Sequence, residues 1–185
     1  MCSACTSTGS GRRCSRTEDP LALIPRRPFR RRRDGLFEIN LDPRERELVR
    51  SLLDQLRDLL LADDPNLRRL FPVAHADDPE AEETYQELVH GQLLESRFAA
   101  IDLVEASLDA EEIDEAGLTG WMQSINALRL VLGTLLDVSD DGLDLDPDDP
   151  RFEPFLLYES LGELLYYIVS SLSEALPEPT ADGPE

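Results

Sequence analysis

The residues between Asp137 and Asp148 come closest to a recognisable chemical site. Four residues match the first, third, fifth and sixth positions of a calcium-binding loop: Asp137, Ser139, Asp141 and Gly142. Asp148 replaces the bidentate Glu of the twelfth position, and Asp144 occupies the eighth, which is normally apolar. These departures favour an acidic, solvated loop over a calcium site, so we predict no bound metal.

Other residue types that commonly do chemistry lack the spacing that chemistry needs. His75 and His90 do not form an H-E-x-x-H pair, no Ser lies in G-x-S-x-G, and no Gly-rich phosphate loop occurs. The chain contains 39 Asp and Glu, so pairs of carboxylates say little about acid–base catalysis. We predict no catalytic residue, no cofactor and no enzyme activity.

Cys2, Cys5 and Cys14 are the only cysteines, and all three lie at the start of the chain. Cys2 and Cys5 have no second pair that would complete a four-ligand zinc site. The odd number favours the reducing cytoplasm. No apolar run approaches the length of about 18 residues that a membrane span needs, and no secretion signal is evident. We predict a cytoplasmic protein without a membrane partner.

Asn126 and Arg129 are polar residues within the apolar stretch Thr119–Val138. On a helix with about 100° per residue, eight apolar residues fall within an arc of about 160°: Trp121, Ile125, Leu128, Val131, Leu132, Leu135, Leu136 and Val138. Arg129 lies at the edge of this arc, and Asn126 precedes it by one turn. Two interpretations remain open. Either Arg129 pairs with a carboxylate of a neighbouring helix and Asn126 bonds across the bundle, or both residues contact a partner.

The charge of the chain is distributed very unevenly. Residues 1–33 contain nine Arg against two acids, a net charge of +7, whereas residues 34–185 contain nine Arg against 37 acids, a net charge of −28. Such an acidic body repels duplex nucleic acid and favours basic partners. The run Arg30–Arg33 is either an arm for nucleic acid or an acidic partner, or a solvated lead-in that folds back on the acidic body. Nucleic-acid contact is predicted only through this arm.

Hydrophobic periodicity predicts an all-α fold, a compact bundle of four to five helices. Asp42-Pro43 and Asp78-Pro79 each indicate a helix start, because Asp caps the free amides and Pro suits the first helical position. The first helix is expected to end near Asp63. The second is expected to reach about Leu108, with a kink or a change of packing partner near Gly91.

Two more helices and a hairpin complete the predicted architecture. The third helix is the stretch Thr119–Val138, with Thr119 as its N-cap. Pro154 opens a last helix with a heptad-like apolar stripe: Tyr158, Leu161, Leu165, Ile168 and Leu172. Residues 29–41 predict a short β-hairpin with Asp34-Gly35 as a two-residue turn.

The 185 residues fit one domain with flexible ends. Residues 1–28 are rich in Ser, Gly, Pro and Arg, and we expect a disordered leader. Residues 29–176 are expected to form the acidic helical domain, and residues 177–185 a disordered tail.

Two strings of residues resemble a known family. Arg69–Pro72 reads R-L-F-P and precedes an acid-Pro helix start, and Trp121–Gly133 reads W-x-x-x-x-N-x-x-R-L-V-L-G. Over about residues 29–172 the chain resembles the actinobacterial domain-of-unknown-function family two-zero-one-seven. It departs from the family at Met122, where Leu is expected, and at Gln86, where Arg is expected.

The resemblance implies a helical protein without an established activity, often encoded beside the proteolytic adaptor ClpS and in some members labelled a transcriptional regulator. We therefore predict a non-enzymatic interaction or regulatory protein of the cytoplasm, linked to ClpS-dependent proteolysis, with a protein partner of unknown identity. One alternative is a transcription-associated regulator that uses the Arg-rich N-terminal arm. Another is an enzyme with a cleft near Arg129. The oligomeric state does not follow from the sequence.

Overall fold

A computed structural model describes residues 27–62, 64–139 and 145–174. A 3-10 helix at Pro65–Arg69 links the first two α-helices. The other elements follow in this order: β1 (Phe29–Arg31), β2 (Phe37–Ile39), α1 (Pro43–Ala62), α2 (Pro79–Ser107), β3 (Glu112–Ile113), α3 (Glu115–Leu135) and α4 (Phe152–Ser173). The predicted bundle of four to five helices with a short N-terminal hairpin is confirmed, and the number of α-helices in the described ranges is four.

Several predictions concern residues that lie outside the described ranges. They are the disordered leader up to residue 26, the disordered tail 177–185 and the centre of the calcium-like loop at residues 140–144. None of the helices in the described ranges is long and apolar enough to cross a membrane.

α3 is the central helix, and it packs between α2 and α4. The predicted third helix is confirmed and most of its residues are buried, but its predicted start at Thr119 is wrong. The N-cap is Asp114, whose side chain accepts a hydrogen bond from the Gly117 amide at 2.8 Å. Because this carboxylate caps the helix a turn earlier, Thr119 lies inside α3 and donates to the Glu115 carbonyl.

Trp121 joins three elements at the centre of the core, and its side chain is fully buried. Its ring contacts Phe29 of β1 edge to face, with 5.3 Å between the ring centroids. Its indole Nε1 donates to Ser107 Oγ, 3.0 Å away in the last turn of α2. A buried N–H without a partner costs roughly 1–3 kcal/mol. Ser107 therefore lets a wholly buried Trp retain its hydrogen bond.

β1 and β2 form the predicted hairpin, in which Phe29 pairs with Ile39. The predicted two-residue turn is wrong. The Arg32 amide donates to the Leu36 carbonyl at 2.8 Å, which leaves three residues in the loop. Gly35 has a φ of +88°, a left-handed conformation that a residue with a side chain rarely adopts.

β3 adds a third strand that the sequence pattern does not indicate. Its two residues pair with β2, and Ile113 lies opposite Phe37. A strand of two residues is too short to show the alternation by which strands are recognised. The sheet buries Phe29, Phe37 and Ile39 against the helices.

Arg46, in the first turn of α1, fastens the sheet to α2. Its Nε donates to the Leu41 carbonyl at 3.0 Å and its Nη2 to Ile39 at 3.3 Å. Its Nη1 donates to the carbonyls of Leu108 and Ala110 just beyond the end of α2. A guanidinium suits this place because it carries several donors and a positive charge toward the negative end of the helix dipole.

α2 runs unbroken through Gly91, but its packing changes along its length. In the first half, His90 stacks on Phe71 with 4.6 Å between the ring centroids. Fully buried residues occur only from Ala100 onward, where α2 packs on α3. Burial in α2 therefore begins nine residues beyond Gly91, and the change of packing partner at Gly91 itself stays a prediction.

α4 begins at Phe152, two residues before the predicted start at Pro154. Its buried positions also differ from the predicted stripe: Leu161, Leu164, Ile168 and Ser171. Leu164 and Ser171 take the places predicted for Leu165 and Leu172. α4 is therefore rotated toward the side that carries Leu164, which leaves Leu165 only half-buried.

The first testable prediction concerns the hydrogen bond of Trp121. Ser107→Ala leaves the buried indole N–H unsatisfied, and we expect the free energy of unfolding to fall by roughly 1–3 kcal/mol. Urea unfolding followed by the fluorescence of Trp121, the single Trp of the chain, measures the change. Ser173→Ala is the matched control, because Ser173 bonds only back to the Val169 carbonyl and is exposed. We expect its effect to stay within about 0.5 kcal/mol, and equal losses in the two variants would contradict the assignment.

Candidate functional site

Arg129 of α3 lies against Tyr158 of α4. Its Cζ is 4.5 Å from the centroid of the Tyr158 ring, which is the geometry of a cation–π contact. Its Nε is buried and has no hydrogen-bond partner among the described residues. No carboxylate of the described ranges lies within ion-pair distance of Arg129. Among the described residues, the group that contacts this guanidinium is therefore an aromatic ring, whereas one of the two interpretations of the sequence was a carboxylate of a neighbouring helix.

Two glycines make room for this contact between α3 and α4. A Cβ at Gly162 would lie 3.2 Å from Arg129 Nε. A Cβ at Gly133 would lie 3.1 Å from the Tyr158 ring and 3.1 Å from an Arg69 Nη1 atom. These contacts are tight, so larger residues at either position would push the helices or these side chains apart.

The two strings that resemble the family meet in space at this crossing. Arg69, from the R-L-F-P string, lies beside Gly133, the last residue of the α3 string. Arg69 also donates to the Val138 carbonyl at 2.7 Å, just beyond the end of α3. The cation stabilises the free carbonyls at this helix end. Both strings therefore contribute to packing around α3.

Asn126 is half-buried on α3, one turn before Arg129. It makes no side-chain hydrogen bond to another described residue, so the bond across the bundle that the sequence suggested is not formed within the described ranges. The structure does not bring Asn126 into the groove that Arg129 lines.

Arg129 lines an open groove of about 970 Å³, whose other walls belong to α4. Its apolar and acidic walls are formed by Leu156, Leu165, Tyr166, Val169, Glu153, Glu159 and Glu163. Tyr166 is 67% exposed and Val169 is 43% exposed. We call this surface the α4 face. The sequence pattern does not indicate this face, because Leu165 falls in the predicted buried stripe.

The run Arg30–Arg33 contacts acidic groups of the body. Arg30 forms an ion pair with Glu38 at 2.5 Å, and Arg32 forms one with Glu112. All four side chains are substantially exposed, so each pair contributes at most about 1 kcal/mol. These contacts favour the interpretation of the run as a lead-in that folds back on the acidic body.

The two histidines are packed against aromatic rings. His90 stacks on Phe71, and His75 meets Tyr85 edge to face at 5.9 Å. Within the described ranges, no three His, Cys, Asp or Glu side chains are placed to hold a metal ion. Asp137, the first residue of the calcium-like loop, is within the described ranges. Its φ of +55° lies in the left-handed region of the backbone.

The second testable prediction separates the two interpretations of Arg129. Because Arg129 contacts a ring rather than a buried carboxylate, we expect Arg129→Met to lower the free energy of unfolding by about 0.5–2 kcal/mol. Breaking a buried ion pair would cost about 3–5 kcal/mol. A double-mutant cycle with Tyr158→Leu, measured by urea unfolding, isolates the contact between the two side chains. Additive losses in that cycle would contradict the cation–π contact.

Comparisons with known proteins place the chain among relatives. It is 26% identical over 206 aligned residues to the protein named Oxidative stress regulator AosR of Mycobacterium bovis and Mycobacterium tuberculosis, and the alignment covers 86% of this chain and 94% of that protein. No solved structure matches the chain. Residues 26–176 match the family described as Domain of unknown function (DUF2017). As the string Trp121–Gly133 indicated, the chain belongs to the DUF2017 family.

Proposed function

We propose that this chain is a non-enzymatic regulatory protein of the cytoplasm that acts by binding another protein through the α4 face. The observation that carries the proposal is the exposure of apolar side chains on this face, with Tyr166 and Val169 uncovered beside the cation of Arg129. Exposed apolar surface rimmed by polar residues is typical of protein interaction sites. Arg129 lines this face, whereas Asn126, the other residue considered for partner contact, does not.

The charges of the α4 face indicate the chemistry of the partner. Glu153, Glu159 and Glu163 line the groove, and they lie on a body with a net charge of −28 over residues 34–185. Such a surface attracts basic groups and repels anionic ones. The partner is therefore a protein segment that presents apolar side chains together with Arg or Lys.

The relatives support a regulatory role. The mycobacterial proteins are named oxidative stress regulators, and the similarity extends over most of both chains. A regulator without an active site works by differential binding, which a docking surface provides. We extend the regulatory role to this chain, but not the response to oxidative stress that the relatives' name specifies.

A more specific proposal is that the protein acts in ClpS-dependent proteolysis. Its support is the gene neighbourhood that the family resemblance implies, which is an association rather than a physical contact. Purified ClpS is the probe for this form. If ClpS does not bind the full chain in solution, the link to ClpS fails while the docking function of the α4 face stands.

The third testable prediction concerns Glu159 and Glu163, which are one helical turn apart and exposed. Proteins that co-purify with the full chain from its native organism are identified by mass spectrometry, and each is then purified and titrated with the chain. We expect the double variant Glu159→Arg, Glu163→Arg to weaken the affinity of the partner by about tenfold or more, because two attractive charges become repulsive.

The matched control is Glu83→Arg, Glu87→Arg on α2. These two residues have the same spacing and are also exposed, so the control changes the net charge equally at another surface. A partner that binds both double variants alike does not use the α4 face. If no purified protein distinguishes the two variants, the proposed function is wrong.

The net charge of +7 over residues 1–33 favours a second candidate, a transcription-associated regulator that binds DNA through the Arg-rich arm. Phe29 is buried against Trp121, so deletion of the whole arm would damage the core. Substitution of Gln for Arg12, Arg13, Arg16, Arg26 and Arg33 in the full chain avoids this damage. For this candidate, the fourth testable prediction is that the substitutions abolish DNA binding and its steep dependence on salt, measured by fluorescence anisotropy. An unmodified chain that does not bind DNA rules the candidate out.

A further inference from the structure

The described chain begins at the edge of the α4 face. Arg27, Phe29 and Arg30 share a cavity of about 170 Å³ with residues in the last turns of α4, including Tyr166 and Glu174. Tyr166 also lines the groove, so the two cavities adjoin at this side chain. Arg27, the first described residue, therefore lies beside the exposed end of the α4 face.

Hydrogen bonds fix this entry point. Ser171 Oγ of α4 donates to the Phe29 carbonyl at 3.2 Å, and an Arg31 Nη1 atom donates to the Glu174 carbonyl at 3.0 Å. Because β1 is bonded to the end of α4, the position of Arg27 relative to the groove is set by the fold.

Residues 12–26 have the composition that the α4 face would accept. The stretch contains an apolar quartet, Leu21–Ile24, with Arg12, Arg13, Arg16 and Arg26 on its two sides. These four Arg outnumber the two acids of the stretch, Glu18 and Asp19, so its net charge is +2. The groove offers apolar side chains with three carboxylates among them. Apolar residues would meet apolar residues, and guanidinium groups would meet carboxylates.

The distances allow this match. Leu21–Ile24 precede Arg27 by three to six residues, a reach of about 10–20 Å in extended chain. The groove extends along α4 from Val169 to Glu153, a rise of about 24 Å. The apolar quartet can therefore lie over the apolar part of the groove, and the arginines before it can reach the carboxylates farther along α4.

We infer that the α4 face binds residues 12–26 of this same chain. The inference rests on the proposed function in one respect, since it requires the α4 face to be a docking surface. A short covalent connection gives the segment an effective concentration in the millimolar range at the groove. The segment therefore occupies the site that a basic, apolar partner uses, and a partner must displace it to bind.

The fifth testable prediction uses paramagnetic broadening in the full chain. Cys2→Ser and Cys5→Ser leave Cys14 as the single thiol, which accepts a nitroxide label within the segment. We expect the methyl signals of Leu156, Leu165 and Val169 to lose most of their intensity. The methyl signals of Leu88, which is 67% exposed on α2 and does not line the groove, should keep theirs.

Two sets of variants test the chemistry of the contact. We expect the broadening at the groove to disappear with Glu159→Arg, Glu163→Arg and to persist with Glu83→Arg, Glu87→Arg. It should also disappear when Leu21, Leu23 and Ile24 are replaced by Ser, although the charges of the segment are unchanged. Broadening that is absent, or that survives either substitution of the contact residues, overturns the inference.

A mixed sample separates contact within one chain from contact between two copies. Nitroxide-labelled chain without isotopes is combined with isotope-enriched chain without the label. We expect no broadening at the groove in this mixture, and broadening there would show that a second copy supplies the segment, which overturns the inference. No external partner is present in these samples. If this experiment fails, the partner titrations therefore still test the proposed function independently.

Discussion

The structure depends on burying the large side chain of Trp121 without losing the hydrogen bond of its indole. Full burial requires apolar contacts from several directions, and Phe29 supplies one of them from the hairpin. The N–H requires an acceptor inside the protein, and Ser107 supplies it from the last turn of α2. Phe29 and Ser107 belong to different elements. Their contacts with Trp121 therefore hold the hairpin, α2 and α3 in one arrangement. Arg46 secures the same arrangement by donating to the Ile39 carbonyl of the sheet and to the Ala110 carbonyl beyond α2.

This arrangement explains why α3 and α4 meet as they do. Because the side of α3 that carries Trp121 faces the core, the side with Arg129 and Gly133 faces α4. The absence of a side chain at Gly133 admits the ring of Tyr158, and Gly162 admits the guanidinium of Arg129. The residues of the family string Trp121–Gly133 therefore serve mainly to pack α3 against its neighbours. Arg129 packs on the Tyr158 ring and also lines an open groove, so a residue of the family string belongs both to the helix crossing and to the exposed surface.

Periodicity and caps predicted the helices because these signals are local. Asp42 accepts hydrogen bonds from the amides of Arg44 and Glu45, and Asp78 accepts one from Ala81, as their positions before Pro indicated. The start of α3 was misplaced because Thr119 and Asp114 are both good caps, and only the end of β3 at Ile113 decides between them.

The candidate site was predictable only in part. Arg129 stood out as a cation beside an apolar arc, but its partner could not be found from composition. Carboxylates are numerous in the chain and Tyr is rare, yet the helix crossing brings Tyr158 to the guanidinium. The α4 face was harder still. Whether Leu165 and Val169 face the core or solvent depends on the rotation of α4 about its axis, which is set by contacts with α3 and β1.

The chain combines this apolar face with a strongly acidic body, and each feature limits the effect of the other. A helix with uncovered Tyr166 and Val169 promotes association between copies through apolar contact. A net charge of −21 opposes it, because two copies that approach through faces lined by Glu153, Glu159 and Glu163 repel each other. The same carboxylates attract a basic segment. In the proposed function, the acidic composition therefore makes an otherwise unselective apolar surface selective, because it favours positively charged partners.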